Sequence, residues 1–276
     1  MLWTRKIRMN AHMRNASRTI LLVPLAALTL MGAHPAHGAQ SYQTDYRISL
    51  FGLSIAKASF STSVTDDRAY KVVGSLASSG LGSLFDDTNG KLDVTGQFAE
   101  TGPVPNSYVV KYRHGNRNKS TSIAFTNGNV TNTTNDPPIN RKKNWVDLKP
   151  ADLQSVADPI SGVMVAATGL DQVCKQTLHL YDGQTRVDLK LSPSGRAQPF
   201  ATEGFKGDAI TCLAKFVPIA GYQSGRKAIE YLKNSSKISL TFASLGKSAI
   251  YSPVQAKIGT QIGTVNVYAT RFEKTQ

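Results

Sequence analysis

The chain carries 276 residues, 41% of them hydrophobic, with 32 Lys and Arg against 18 Asp and Glu for a formal charge of +14, and only 2 Cys and 5 His. So few sulfur and imidazole groups exclude a His/Cys metal cluster, and neither His-Glu-x-x-His nor Cys-x-x-Cys occurs. There is no Gly-x-Ser-x-Gly nucleophile elbow either.

The first 19 residues hold Arg5, Lys6, Arg8, Arg14 and Arg18 without an acid. Ile20 to Met31 is an apolar run too short for a membrane span, and small residues follow from Gly32 to Ala39. A positive head, a short greasy middle and a small-residue exit predict a secretory signal peptide over residues 1–38, cleaved near Gly38. Removing it takes away 5 of the 32 basic residues and no acid, leaving 27 against 18, or +9. Much of the positive charge is therefore a targeting signal. The remaining residues 39–276 suit one β domain, not membrane-spanning after cleavage, and long enough to bury a stable core.

From Tyr42 the chain alternates, with Tyr46, Ile48 and Leu50 on one side, and Ala56, Ala58 and Phe60 resuming after Gly52. Glycine inside such a run predicts a bulge or bend in one long curling strand. Asp66-Asp67 predicts a turn, with Tyr70, Val72, Gly74 and Leu76 on the returning strand. The Gly80 to Phe85 stretch is glycine-rich, but no Gly-Lys-Ser/Thr follows, so it is no phosphate cradle; Asp86-Asp87 reads as a turn. Lys91 to Phe98 is a further strand, broken by Pro103 and Pro105. Tyr108 to Tyr112 and Ser120 to Phe125 form a hairpin, and Asn127 to Asn140 reads as an Asn/Thr/Pro-rich loop.

One helix is predicted over 158–168, where Asp158 caps, Pro159 takes the first helical position and Gly169 stops the run. Its stripe of Ile160, Val163, Met164 and Ala167 suits it to plug an open sheet. The segment from Gly225 to Lys233 is amphipathic and stands between helix and loop. Strands follow at Lys237 to Phe242, near Ala249 to Tyr251, at Val254 to Ile258 and at Thr264 to Phe272.

The stretch from Cys174 to Cys212 organises the rest. Asp182-Gly183 between two alternating runs predicts a hairpin with a two-residue turn. Leu180 then faces Thr185, Leu178 faces Val187 and Cys174 faces Leu191, giving an oily face, with Tyr181, His179, Arg186, Asp188 and Lys190 on a wet one. An even pair of cysteines in an exported chain is most simply a disulfide, Cys174–Cys212. Cys174 as a nucleophile served by His179 is the sharper alternative, but a five-residue offset on a strand puts the two on opposite faces.

Beyond residue 38 only His114 and His179 remain, both on predicted hairpins, so neither is placed for a catalytic triad. The expectation is a non-enzymatic protein with no catalytic residue, cofactor or metal. The most basic spot is the hairpin end Lys111, Arg113, Arg117 and Lys119, joined by Arg141, Lys142 and Lys143, a candidate contact for an anionic partner. It lacks stacking aromatics, so nucleic acid is not the expected partner.

Tyr46-x-Ile-x-Leu-x-Gly-Leu, the Asp158-Pro159-Ile160-Ser161 entry, Cys174…Leu180-Tyr181-Asp182-Gly183…Cys212 and the late Tyr251-Ser252-Pro253 with Gly263-Thr264 resemble the exported bacterial family catalogued as domain of unknown function 3108. The resemblance spans nearly all of residues 39–276 and implies a periplasmic location with no assigned activity. A more distant similarity is to spiral β proteins that support envelope integrity, which also carry one disulfide, with the cysteines placed differently. Neither offers catalytic residues to carry over.

The predicted fold is all-β and mainly antiparallel, a curled open barrel or β-spiral with one or two short helices and one disulfide. An open curved sheet must fill its inner face with side chains or a ligand. Tyr46, Phe60, Tyr112 and Phe125 are the residues expected to line any groove. The expected role is a periplasmic envelope protein binding a lipid or a periplasmic or outer-membrane protein and supporting envelope integrity. The alternatives are a carrier for an amphiphile such as a lipid or lipoprotein, and a hydrolase on envelope polymers.

Overall fold

A computed structural model describes residues 40–80, 82, 88–246 and 248–276. The expected signal peptide, most of Gly80–Phe85 and the Asp86-Asp87 pair lie outside the described residues.

Chain direction reverses at almost every turn. The first seven strands are β1 (Gln40–Leu50), β2 (Leu53–Val64), β3 (Ala69–Ser78), β4 (Thr88–Ala99), β5 (Gly102–His114), β6 (Arg117–Thr126) and β7 (Asn129–Asp136). Two short pieces, β8 (Trp145–Val146) and β9 (Val165–Ala166), precede helix α1 (Leu170–Val173) and the hairpin β10 (Thr177–Tyr181) and β11 (Arg186–Pro193). Then come β12 (Gln198–Thr202), β13 (Phe205–Ala220), β14 (Tyr222–Gln223), helix α2 (Lys227–Asn234), β15 (Ile238–Ser244), β16 (Ile250–Thr260) and β17 (Gly263–Lys274). One sheet runs β10-β11-β13-β15-β16-β17-β1-β2-β3-β4-β5-β6-β7, with β12 on β13 and β9 on β16 off that path. All the strand pairs are antiparallel. The fold is thus the expected unclosed, curled, mainly antiparallel sheet with short helices and one disulfide.

Its two ends approach each other across the segment 155–158. The amides of Ser155 and Val156 bond to the Asn129 side chain and the Gly128 carbonyl beside β7. Ala157 exchanges backbone bonds with His179 and Tyr181 of β10, each 2.9 Å. Asn135 of β7 also donates to the Gly183 carbonyl at 2.9 Å. The β10 edge is thereby paired at Ala157, and the turn before β7 and its first residue are tied to the same segment.

The structure corrects several local expectations. Gly52 does not bend one long strand; Phe51 and Gly52, both with positive φ (52° and 79°), form a two-residue turn that pairs Leu50 with Leu53. Pro103 and Pro105 do not break the sheet but sit inside β5, because β6 pairs with β5 only from Ser107 onward and no amide is needed from them. The Asn127 to Asn140 loop is largely β7, where Val130, Thr131, Thr133 and Thr134 supply branched side chains suited to a strand. The runs near Ala249 and at Val254 merge into β16 through Pro253, next to a register shift. The amphipathic segment after Gly225 is helical, as α2.

The predicted helix over 158–168 is a single 3-10 turn, Ser161–Val163, followed by β9. Asp158 does cap it, Oδ1 accepting from the Ile160 and Ser161 amides at 2.9 Å each. Propagation stops because Val165 and Ala166 pair with Tyr251 and Ile250 of β16. Gly162 lets the turn lie against β10: a Cβ there would fall 2.2 Å from Leu180.

At the organising hairpin Leu180 pairs with Val187 and Leu178 with Leu189, a slip of two residues from the predicted register. The loop is four residues because Asp182 Oδ1 accepts from both the Gln184 and Thr185 amides (2.9 and 2.6 Å), closing an Asx turn. A slip of two preserves the faces, so Leu178 and Leu180 are buried as expected. Tyr181 and Arg186, expected on the wet face, are buried instead, at 3% and 7% exposure. Tyr181 belongs to the same buried cluster as Val156, and Arg186 donates to the Asp152 carbonyl and to Asp188 (3.0 and 2.6 Å). Cys174 caps α1 rather than lying on the strand opposite Leu191; its disulfide to Cys212 of β13 joins helix to sheet, with Cα atoms 5.2 Å apart.

Candidate binding site

Inside the curl lies a cavity of about 620 Å³, within the roughly 300–1,000 Å³ range of small-molecule sites. Inward positions of β1 to β5 form its wall. Thr44, Tyr46 and Ile48 alternate along β1, Ala58, Phe60 and Thr62 along β2, Val72, Gly74 and Leu76 along β3, Gly90 and Leu92 along β4, and Tyr108, Val110 and Tyr112 along β5. Pro253, Ala256 and Val267 from β16 and β17 continue the wall, and Ile160, Val163 and Met164 of the capped turn close one side. That turn plugs the interior, as the predicted helix was to do.

The wall is largely apolar, with several hydroxyls and the side chains of Lys91 and Gln255 among its lining. The Tyr46 hydroxyl donates to the Pro253 carbonyl, and burial pushes its phenol well above the ordinary range. The same desolvation raises Tyr108. Tyr46 and Phe60 meet edge to face at 5.7 Å between centroids, fixing the aromatic side of the wall.

Two glycines shape the space. Gly74 pairs with Phe60 and Gly90 with Tyr112 across the strands. A Cβ would fall 2.6 Å from the Phe60 ring and 3.0 Å from the Tyr112 Cβ. Gly74 therefore leaves room for the Phe60 ring to lie on the sheet, while Gly90 sits in close cross-strand contact with Tyr112. Sequence reasoning noted Gly74 only as a strand position; an inward glycine registered opposite an aromatic is the signal that could have marked the wall. Of the four residues expected to line a groove, Tyr46, Phe60 and Tyr112 do so, while Phe125 is core at 6% exposure.

Beneath the cavity, fully buried Asp158 touches Ser161, whose hydroxyl accepts from Tyr70 at 2.7 Å. Desolvation raises the Asp158 carboxyl, and its hydrogen bonds only partly offset this. Asp158 Oδ2 has no hydrogen-bond partner among the described residues.

The residues of the predicted basic cluster lie on the β5–β6 hairpin and in the loop before β8. Lys111 is exposed on β5; Arg113, the residue before the last of β5, is opposite Asn118, and Arg117 opens β6 opposite His114. Lys119 lies over the Tyr112 ring at 5.9 Å. Arg141 is paired with Asp147 at 3.3 Å, while Lys142 and Lys143 are exposed in the loop before β8. His179 sits on the opposite end of the sheet order from β5, its Nδ1 2.6 Å from Asp188, which also binds Arg186. Burial raises the Asp188 carboxyl, but the bonds from His179 and Arg186 outweigh it and leave it lowered. Cys174 and Cys212 are joined and buried at 1% and 0% exposure, so neither is a free nucleophile. No group of three metal-ligating side chains occurs among the described residues.

These features define a class: a single curled, open, disulfide-tied β-sheet around an apolar interior. The chain belongs to the family described as Protein of unknown function (DUF3108), whose model matches residues 42–270. No curated protein matches it. Among solved structures it is similar to a beta-barrel-like protein of domain of unknown function DUF1849 from Brucella abortus. That match has a TM-score of 0.44 and 6% identity, covering 87% of this chain and 99% of the other. It is also similar to the hypothetical protein CT021 from Chlamydia trachomatis, with a TM-score of 0.29 and 12% identity, covering 84% of this chain and 87% of the other.

Proposed function

We propose that this chain is a non-enzymatic, exported envelope protein that holds the apolar part of an amphiphile, a lipid or a lipoprotein's acyl chain, inside its curled sheet. The observation that carries the proposal is the roughly 620 Å³ apolar cavity. Folding ordinarily fills an interior of this kind, because apolar walls that face a void lose their dispersion contacts. Gly74 leaves room for the Phe60 ring to lie against this wall rather than across the space. The few polar atoms on the wall suit a chain that needs no hydrogen bonds. An acyl chain gains by leaving water at about 0.8 kcal/mol per buried methylene, which makes even a short tail a strong ligand.

The periplasm is the compartment proposed, on the basic head and apolar run of residues 1–38 and on a buried disulfide that an oxidising compartment favours.

The test is solvent extraction and mass spectrometry of the protein purified from its native envelope, alongside displacement of a fluorescent fatty acid. Bound lipid is expected in the wild type, and Val110→Trp, which fills the cavity from its wall, is expected to lower fatty-acid binding at least tenfold without unfolding the protein. Wild type free of lipid and unable to bind the probe would sink the proposal.

A further inference from the structure

One rim of the curled sheet carries features that the cavity does not explain. The β1–β2 turn and the β16–β17 turn lie side by side there, Leu50 pairing with Val265. Phe51, Leu53 and Ile262 stand on these two turns at 74%, 52% and 68% exposure. Phe51 holds its ring in water from a left-handed backbone (φ 52°) that a bulky residue rarely adopts. Gly263 makes room for that ring: a Cβ there would fall 2.7 Å from it. Asn is the residue this turn position prefers, so the local conformation is not what accounts for a phenyl group.

The outer wall below this rim is cationic in an unusual arrangement. Arg47 lies directly opposite Lys57 across β1–β2, and Lys91 directly opposite Lys111 across β4–β5. Like charges in such positions repel. All four are exposed and none has an ion-pair partner among the described residues; Arg47, Lys57 and Lys111 alternate with the cavity-lining residues, while Lys91 itself contributes to the lining. One repelling pair on the strands that carry the apolar tip and a second further along the sheet are complementary to a surface that is negative outside and apolar within.

We infer that this rim docks on an anionic lipid bilayer, Phe51, Leu53 and Ile262 entering the interface while Arg47, Lys57, Lys91 and Lys111 neutralise headgroups. The inference stands apart from the cavity proposal, because none of its three apolar residues lines the cavity.

Sedimentation with vesicles tests it, using phosphatidylcholine alone and phosphatidylcholine mixed equally with phosphatidylglycerol. Residues 1–38 are common to every form compared, so only differences among variants count. Wild type is expected to sediment with the anionic vesicles and to be released by salt. Arg47→Glu with Lys57→Glu is expected to lower binding roughly tenfold or more. Phe51→Asn with Ile262→Asn is expected to do the same while the melting temperature holds or rises, since Asn suits the turn. Fatty-acid binding should be unchanged in all of these. Variants that sediment like wild type, or a wild type that binds neutral vesicles equally well, would overturn the docking rim. Val110→Trp that loses fatty acid yet still sediments would leave the rim standing on its own.

Discussion

The two halves of the sheet follow the same inside-outside alternation but treat their inner faces differently. Over β10, β11, β13 and β15 the concave side is filled: Val173, Cys174, Cys212 and Phe242 are at most 1% exposed, and Leu178 and Leu240 pack with them. Over β1 to β5, Tyr46, Phe60, Leu92 and Val110 are only partly buried and face the cavity. What differs is the cover. Helix α1 is tied down by Cys174–Cys212 on the first half, whereas the second receives one 3-10 turn, which reaches part of the wall. A sheet that curls without closing needs a lid for each stretch of its inner face, and among the described residues a helix tied down as a lid covers the first half.

On that contrast, equal truncations have unequal expected effects. Phe242→Ala removes a side chain with 0% exposure from the filled half and is expected to cost about 4–5 kcal/mol, transfer and cavity terms together. Phe60→Ala in the open half enlarges an existing space, so much of the cavity term is already absent, and roughly 1–2 kcal/mol is expected. Urea denaturation of both variants decides: equal losses would mean that the cavity half is packed as tightly as the other.

The disulfide sharpens the same point. A cross-link closing 38 residues of sequence restricts the unfolded chain by about 4 kcal/mol in the loop-entropy account. Replacing both Cys174 and Cys212 by Ser should lose about that much, and the loss should appear as looser protection of α1 and β13 amides rather than of β2 to β4. Hydrogen exchange distinguishes this from general unfolding; a uniform loss of protection would show that the bridge does not serve the filled half in particular.

The residues carried the alternation, the disulfide and the sheet's class because each of these is set locally or by simple parity. The faces of Leu178 and Leu180 survived even a wrong turn length, since a slip of two residues keeps every side chain on its side. What could not be read was anything decided by a distant neighbour. Tyr181 and Arg186 are polar enough to predict exposure, and distant partners bury them: the core cluster that includes Val156 for Tyr181 and the Asp152 carbonyl for Arg186. Asp158, Pro159 and the apolar stripe are sound helix signals, yet β16 takes Val165 and Ala166 into the sheet. The cavity escaped for the same reason: Gly74 and Gly90 mark it only once register sets them opposite Phe60 and Tyr112.

Asp158, at the join between the halves, yields the smallest expected effect and the most specific. Its carboxyl is raised in the folded state, first by desolvation, against hydrogen bonds that favour the charged form. A group raised on folding stabilises fully below its unfolded value, near 3.8, and that contribution is lost as pH climbs through the higher folded value. Wild type therefore carries a buried-charge penalty at neutral pH that it does not carry in acid. Asp158→Asn keeps an acceptor for the Ile160 and Ser161 amides but cannot ionise, so its stability relative to wild type should improve steadily as pH rises from about 3 to 7. Asp158→Ala loses the cap and should be less stable than Asp158→Asn throughout, by about 1 kcal/mol. Denaturation midpoints across that range decide it. A constant difference between wild type and Asp158→Asn would show that the carboxyl is as well solvated in the fold as in the open chain, and that the turn beneath the cavity is wet rather than sealed.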